Sequence, residues 1–79
     1  MFYVYALRSL THGSRYIGSA DNSEKRLAEH NAGKCRHTRG RRPWVLIHLE
    51  QFTSRSEAMK RERFLKSGQG GKLLDDMDL

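Results

Sequence analysis

Two tyrosine-bearing triplets, Tyr3-Val4-Tyr5 and Tyr16-Ile17-Gly18, flank a short polar stretch and constrain how the start of the chain can fold. Residues 2–8, FYVYALR, mix aromatic and β-branched side chains and read as a strand. Thr11-His12-Gly13-Ser14 is turn chemistry, and residues 15–19, RYIGS, resume the extended pattern. Residues 2–19 are therefore expected to form a β-hairpin whose loop is longer than two residues. Tyr3 and Tyr5, two apart, point to one face of the first strand.

Beyond the hairpin the pattern changes period. Asp21 is expected to cap a helix, with Glu24 three residues on as its reciprocal partner, and that helix runs over 22–32 to Gly33. Residues 33–43, GKCRHTRGRRP, hold two glycines, a proline and five Lys/Arg with no acid, and read as a loop. Residues 44–50, WVLIHLE, are a strongly apolar run and read as a strand, with Trp44 in the core. Ser54-Arg55-Ser56-Glu57 is a capping-box pattern that opens a second helix over 54–66. Ser67-Gly68-Gln69-Gly70-Gly71 is expected to break it, leaving a last helical turn or two over 72–77 with Leu73, Leu74 and Met77 on one side. The order ββαβαα is an α+β pattern, a small antiparallel sheet with helices packed on it. With 79 residues, no internal repeat and no long linker, 1–79 reads as one domain with its core over 2–74 and an acidic tail.

A domain of this size is marginally stable, and the single cysteine, Cys35, offers no internal disulfide. The first residues lack a basic n-region, Arg8 interrupts the apolar run, and no stretch approaches a membrane span. The expectation is a soluble, cytoplasmic protein with no membrane partner.

Charge narrows the partners. Lys and Arg number 15 against 9 Asp and Glu, a net charge of +6, and Asp75, Asp76 and Asp78 lie in the last five residues. The rest of the chain is therefore more basic than its total, and such a body attracts polyanions because neutralised phosphates release counterions. The bland alternative is basic surface that only aids solubility.

Three groups of residues invite chemistry. On the second helix Ala58, Met59 and Leu65 lie four before, three before and three after Glu62, which puts this carboxylate on the apolar face. An inward carboxylate is costly unless it is paired or coordinates a cation. A salt bridge to a nearby arginine satisfies that requirement, and so does a hard divalent ion, which takes few protein carboxylates and keeps its waters. On the first helix Arg26 and His30 share one face, bordering Leu27 and Ala28, which are expected to meet the core. Arginine offers a planar fork for phosphate oxygens, and histidine exchanges a proton near neutral pH, although a surface helix also carries such pairs with no role. In the loop, Lys34, Arg36, Arg39, Arg41 and Arg42 form a candidate phosphate-contacting surface. Cys35 and His37 lack further ligands at zinc spacing, and the chain has neither a Walker loop nor a dinucleotide glycine fingerprint.

Taken together these residues resemble the GIY-YIG nuclease domain, in particular its small stand-alone members. Tyr3-Val4-Tyr5 stands at the first signature triplet, with Tyr3 where the family has glycine, and Tyr16-Ile17-Gly18 matches the second. Arg26 and His30 follow on the helix, then the "GRRPW" segment at 40–44 and "SEAMKRERFLK" at 56–66, which sets Glu62 at the family's metal-binding glutamate. The resemblance covers residues 2–74. It implies a three-stranded antiparallel sheet flanked by helices and a Mg²⁺- or Mn²⁺-dependent endonuclease acting on DNA in repair, recombination or processing. It further implies Tyr5, Tyr16, Arg26, His30 and Glu62 as the catalytic set, with the tyrosine hydroxyls converging near Arg26 and Glu62. Gly18 and Asn31 are expected to be structural, Asn31 by closing the helix end. The implied substrate is branched, flapped or damaged duplex, reached with a partner protein or as a homodimer. The competing expectation is a non-catalytic nucleic-acid-binding module on the same fold, and a third rests on charge alone, a binder of RNA or of an acidic protein.

Overall fold

The computed structural model describes residues 1–79. Strands β1 (Phe2–Ser9), β2 (Arg15–Ala20) and β3 (Trp44–Phe52) form one antiparallel sheet in the order β2-β1-β3. Helices α1 (Ser23–Asn31), α2 (Arg55–Lys66) and α3 (Gly68–Asp76) complete an α+β fold, with a short 3₁₀ turn at Arg39–Arg41. The central place of β1 follows from its composition, since Val4, Tyr5, Ala6 and Leu7 are all buried and need cover on both faces.

Alternation along β1 divides those residues between two cores. Val4 and Ala6 face α2 and α3, where they pack with Ile17, Ala58, Leu65 and Leu74. Tyr5 and Leu7 face the other way, toward Trp44, Tyr16 and Leu27 of α1. Trp44 is thus a core residue, as its sequence context implies. The hairpin turn closes with Ser9 N–H donating to the Ser14 carbonyl at 2.9 Å and Gly13 in the left-handed region at φ 72°. On the other side of β1 the register slips, with Ala6 opposite His48 and Leu7 opposite Leu46, so Ile47 is the extra residue of a bulge.

Several expectations need correction. The cap of α1 is Asn22, not Asp21: Asn22 has extended backbone and its Oδ1 accepts the Lys25 N–H at 3.0 Å, a geometry Asp21 reaches one residue too early. The glycine-rich stretch after α2 does not break the helical region for long. Ser67 caps α3 by accepting the Gly70 N–H, and the helix begins at Gly68. Gly70 is buried against the end of α2, where a Cβ would overlap the Phe64 carbonyl and the Leu65 backbone. Its bare backbone lets the two helices cross closely. On α2, Met59 is exposed while Ala58 and Leu65 are buried, and on α3 Leu74 is buried while Met77 is exposed. On α1 the buried residue is His30, not Ala28.

The acidic end is held in place. Arg15 pairs with Asp75 at 2.8 Å and donates to the carbonyls of Gly71 and Leu79. No helix is long and apolar enough to cross a membrane.

Candidate active site

The α1 face of the hairpin assembles four of the five residues named from sequence. Tyr5 lies directly opposite Gly18 in the β1–β2 register. A Cβ at Gly18 would overlap the Tyr5 hydroxyl, so the missing side chain gives the phenol its room. From there the hydroxyl bonds His30 Nε2 at 3.1 Å, and His30 Nδ1 bonds Thr38 Oγ1 at 2.8 Å. Tyr5, His30 and Thr38 are each about 1% exposed or less. A histidine can occupy a core position here because both ring nitrogens have partners. Tyr16 completes the aromatic group, its ring 4.9 Å from that of His30, 6.4 Å from Tyr5 and 6.2 Å from Trp44. Unlike Tyr5 it is only partly buried.

Arg26 sits one turn before His30 on α1 and pairs with Glu29 at 3.0 Å. Its guanidinium also acts on the Tyr5 hydroxyl electrostatically, although the hydrogen bond of that hydroxyl goes to His30. Burial raises the Tyr5 pKa above the ordinary tyrosine value, against the smaller downward pull of Arg26. Contact with the Tyr5 hydroxyl raises the Arg26 pKa further above its already high value. Burial, followed by the Arg26 charge, pushes His30 below its ordinary range, so the ring is neutral at physiological pH.

Glu62 does not join this group. Ser19 lies on the face of β2 opposite to Gly18, and its hydroxyl donates to Glu62 Oε1. Lys66, one turn on, holds Oε2 at 2.7 Å. Burial would raise the Glu62 pKa, but the Lys66 and Ser19 bonds outweigh it and hold the carboxyl below the usual range. No hydrogen bond or ion pair links Glu62 to Tyr5, Tyr16, Arg26 or His30. The two groups flank edge strand β2, whose neighbouring residues Gly18 and Ser19 serve one each, and Tyr16 and Lys66 line one cleft along that edge, so the Glu62–Lys66 pair borders the tyrosine group.

No three His, Cys, Asp or Glu side chains lie close enough to share a metal ion. Glu62 nevertheless suits a hard cation, being ionised, partly exposed at 22% of its side chain, and monodentate on each oxygen. Such an ion would take one protein carboxylate and fill its shell with water and phosphate, displacing Lys66 from its oxygen.

The structural residues resolve clearly. Asn31 does not close its own helix. Its amide donates to the Trp44 carbonyl at 2.9 Å and its Oδ1 accepts the Trp44 N–H at 2.7 Å, so it pins the first residue of β3 to the end of α1. The loop cations Lys34, Arg36, Arg39, Arg41 and Arg42 are all exposed. Arg42 Nε caps the Arg39 carbonyl at 2.8 Å, and the Arg41 carbonyl accepts the Ser9 hydroxyl at 2.6 Å, tying the loop to the hairpin. Two residues of the site carry no warning in the sequence. Thr38 lies inside a basic loop and Ser19 follows the second triplet, and only long-range packing brings either to its partner.

Comparison with known proteins agrees with this architecture. The model of the GIY-YIG catalytic domain matches residues 1–72. The chain is 48% identical over 66 residues to a UPF0213 protein of Natronomonas pharaonis, covering 82% of this chain and 76% of that one. A UPF0213 protein of Staphylococcus haemolyticus is 47% identical over 66 residues, covering 82% and 79%. Among solved structures, the solution NMR structure of a UPF0213 protein from Bacillus halodurans superposes with a TM-score of 0.58 at 34% identity, covering 98% of this chain and 85% of that one. The chain belongs to the GIY-YIG catalytic domain family, a family of nucleases.

Proposed function

We propose that the protein is a divalent-metal-dependent endonuclease that hydrolyses phosphodiester bonds of DNA. The observation that carries this reading is the convergence of Tyr5, Tyr16 and His30 beside Arg26 on one face of the sheet. Such a group can bind a phosphate and move a proton, and a purely structural core has no need of either.

The roles follow from exposure. Arg26 keeps its positive charge at any working pH and offers a fork to the scissile phosphate, where it stabilises developing negative charge. Tyr16 is the tyrosine that substrate can reach, so it takes or relays the proton of the attacking water. Tyr5 is sealed in the core and acts through His30, which holds the edge of the aromatic group in place. Glu62 is the residue that would hold Mg²⁺ or Mn²⁺, and such an ion supplies charge neutralisation at the phosphate and leaving oxygen. Lys34, Arg36, Arg39, Arg41 and Arg42 contact the DNA backbone. Branched, flapped or damaged duplex in repair or recombination is the substrate class, with target choice supplied by a partner protein or a second copy.

One observation favours a second reading. Both Glu62 oxygens are bonded within the protein, to Ser19 and Lys66, and neither bonds a tyrosine. A non-catalytic nucleic-acid-binding module on this fold would look the same. A nicking assay separates the two. Supercoiled plasmid and a flapped duplex are incubated with wild type and Glu62→Ala in Mg²⁺, Mn²⁺ or EDTA. Metal-dependent nicking that the variant loses supports the enzyme, while tight binding with no cleavage by folded wild type supports the module.

A further inference from the structure

We infer that Thr38 is a positioning residue that fixes the tautomer of His30, so that Nδ1 carries the ring proton and Nε2 accepts from the Tyr5 hydroxyl. Resting its catalytic consequence on the nuclease reading above, Thr38 sets the direction in which the buried Tyr5–His30 pair can pass a proton.

The assignment comes from counting donors and acceptors in a sealed space. Thr38 is 1% exposed and His30 is fully buried, so neither side chain can turn to solvent for a partner. The Thr38 hydroxyl donates at 3.4 Å to the Cys35 carbonyl, which also accepts the Thr38 and Arg39 N–H groups, and its lone pairs are then free to accept the Nδ1–H at 2.8 Å. His30 Nε2 is then unprotonated and accepts the Tyr5 O–H at 3.1 Å. In this arrangement every proton has an acceptor, and no buried side-chain polar atom is left without a partner. The opposite tautomer puts an Nε2–H onto the Tyr5 oxygen. The Tyr5 proton then has no acceptor, and the oxygen faces both that N–H and the Arg26 guanidinium.

Thr38 is itself held rigidly. Its carbonyl accepts the Trp44 indole N–H at 2.8 Å, and its N–H donates to the Cys35 carbonyl at 3.2 Å. The loop that carries the exposed cations is thereby anchored at its one buried residue to the ring of His30. A threonine suits the position because its hydroxyl donates and accepts at once.

The test is long-range proton–nitrogen correlation NMR of the histidine rings at neutral pH, on uniformly ¹⁵N-labelled wild type, Thr38→Ser and Thr38→Val. Wild type and the serine variant are expected to show His30 as the Nδ1–H form. The valine variant removes the acceptor and is expected to shift the ring toward the Nε2–H form. Nicking by Thr38→Val is expected to fall about tenfold or more at unchanged DNA affinity, with Thr38→Ser within about twofold of wild type. An Nε2–H ring in wild type overturns the assignment without recourse to any variant. So does a folded Thr38→Val protein that keeps the Nδ1–H form. Should wild type cut no DNA, the nuclease reading fails while the ring spectra still decide the tautomer.

Discussion

Tyr5 is 1% exposed with its hydroxyl bonded to His30, whereas Tyr16 leaves part of its ring at the surface. Substitution should separate them. Tyr5→Phe removes the bond to a buried nitrogen and is expected to cost about 1–3 kcal/mol of stability, read by urea denaturation. Tyr16→Phe is expected to change stability by less than about 0.5 kcal/mol while lowering nicking about a hundredfold. Equal losses of stability in both would refute the division of roles. His30 gives a second test with a defined sign. Its folded-state pKa lies below the unfolded value because burial and Arg26 disfavour the charged ring. The unfolded chain therefore binds the extra proton first, and stability is full above about pH 6.5 and declines as pH falls toward the folded-state value. His30→Gln should flatten the decline between about pH 7 and 5, and an unchanged slope would show that another group titrates. Much of this site is legible in the sequence. The family resemblance, carried by the two triplets and by Arg26 and His30, marks four residues that the fold brings to one face. Thr38 is not legible, because its partner is eight residues away across a helix end and its neighbours in sequence are mostly surface cations. The side of the sheet that Glu62 meets is hidden for a different reason. Helical spacing says that Glu62 shares a face with Ala58, and the alternation of β2 then decides which side of the sheet that face meets.

Elements are legible where capping and periodicity agree, as in α2, whose Ser54 hydroxyl accepts the Glu57 N–H at 3.1 Å as its motif implies. They mislead where glycine has two uses. Ser67-Gly68-Gln69-Gly70-Gly71 looks like a breaker because isolated propensity disfavours glycine in helices. In the folded protein tertiary contact overrides propensity, since α3 can cross α2 closely only if residue 70 has no side chain. Two of the three glycines of this stretch, Gly68 and Gly70, should therefore respond in opposite directions. Gly68 has no heavy atom near the place of a Cβ, and Gly68→Ala is expected to be neutral or to stabilise by up to about 1 kcal/mol. Gly70→Ala must push apart the backbone of two helices and is expected to cost about 2 kcal/mol or more. Thermal melts of the two variants decide it, and similar melting temperatures would mean that α3 does not depend on the close crossing.

At the scale of the molecule, excess positive charge is divided between cations with internal work and cations without it. Arg15 holds the acidic end, Arg61 grips Glu50 through two bonds of 2.7 and 3.0 Å, and Lys66 holds Glu62. Arg41 and Arg42 brace the loop through hydrogen bonds to Ser14 and the Arg39 carbonyl. Lys34, Arg36 and Arg39 are exposed and their charged ends have no acidic partner. A phosphate that meets these three displaces only water and counterions, so with Arg41 and Arg42, whose bonds go to neutral groups, they should carry the salt dependence of DNA binding, while Glu62 should carry none of it. Deleting one phosphate-binding cation reduces the slope of log affinity against log salt by about 0.9 on duplex DNA. Arg36→Ala with Arg39→Ala is therefore expected to lower that slope by about two and to weaken binding to all sequences alike. Glu62→Ala removes a negative charge, so its binding should hold or tighten while metal-dependent nicking disappears. Titrations at several salt concentrations beside the nicking assay test both halves together. A Glu62→Ala protein that still nicks in Mg²⁺ would move the metal away from α2. A loop double variant with an unchanged salt slope would move the DNA away from the 34–42 loop and toward the basic face of α2, where Arg55, Lys60 and Arg63 are likewise free of acidic partners.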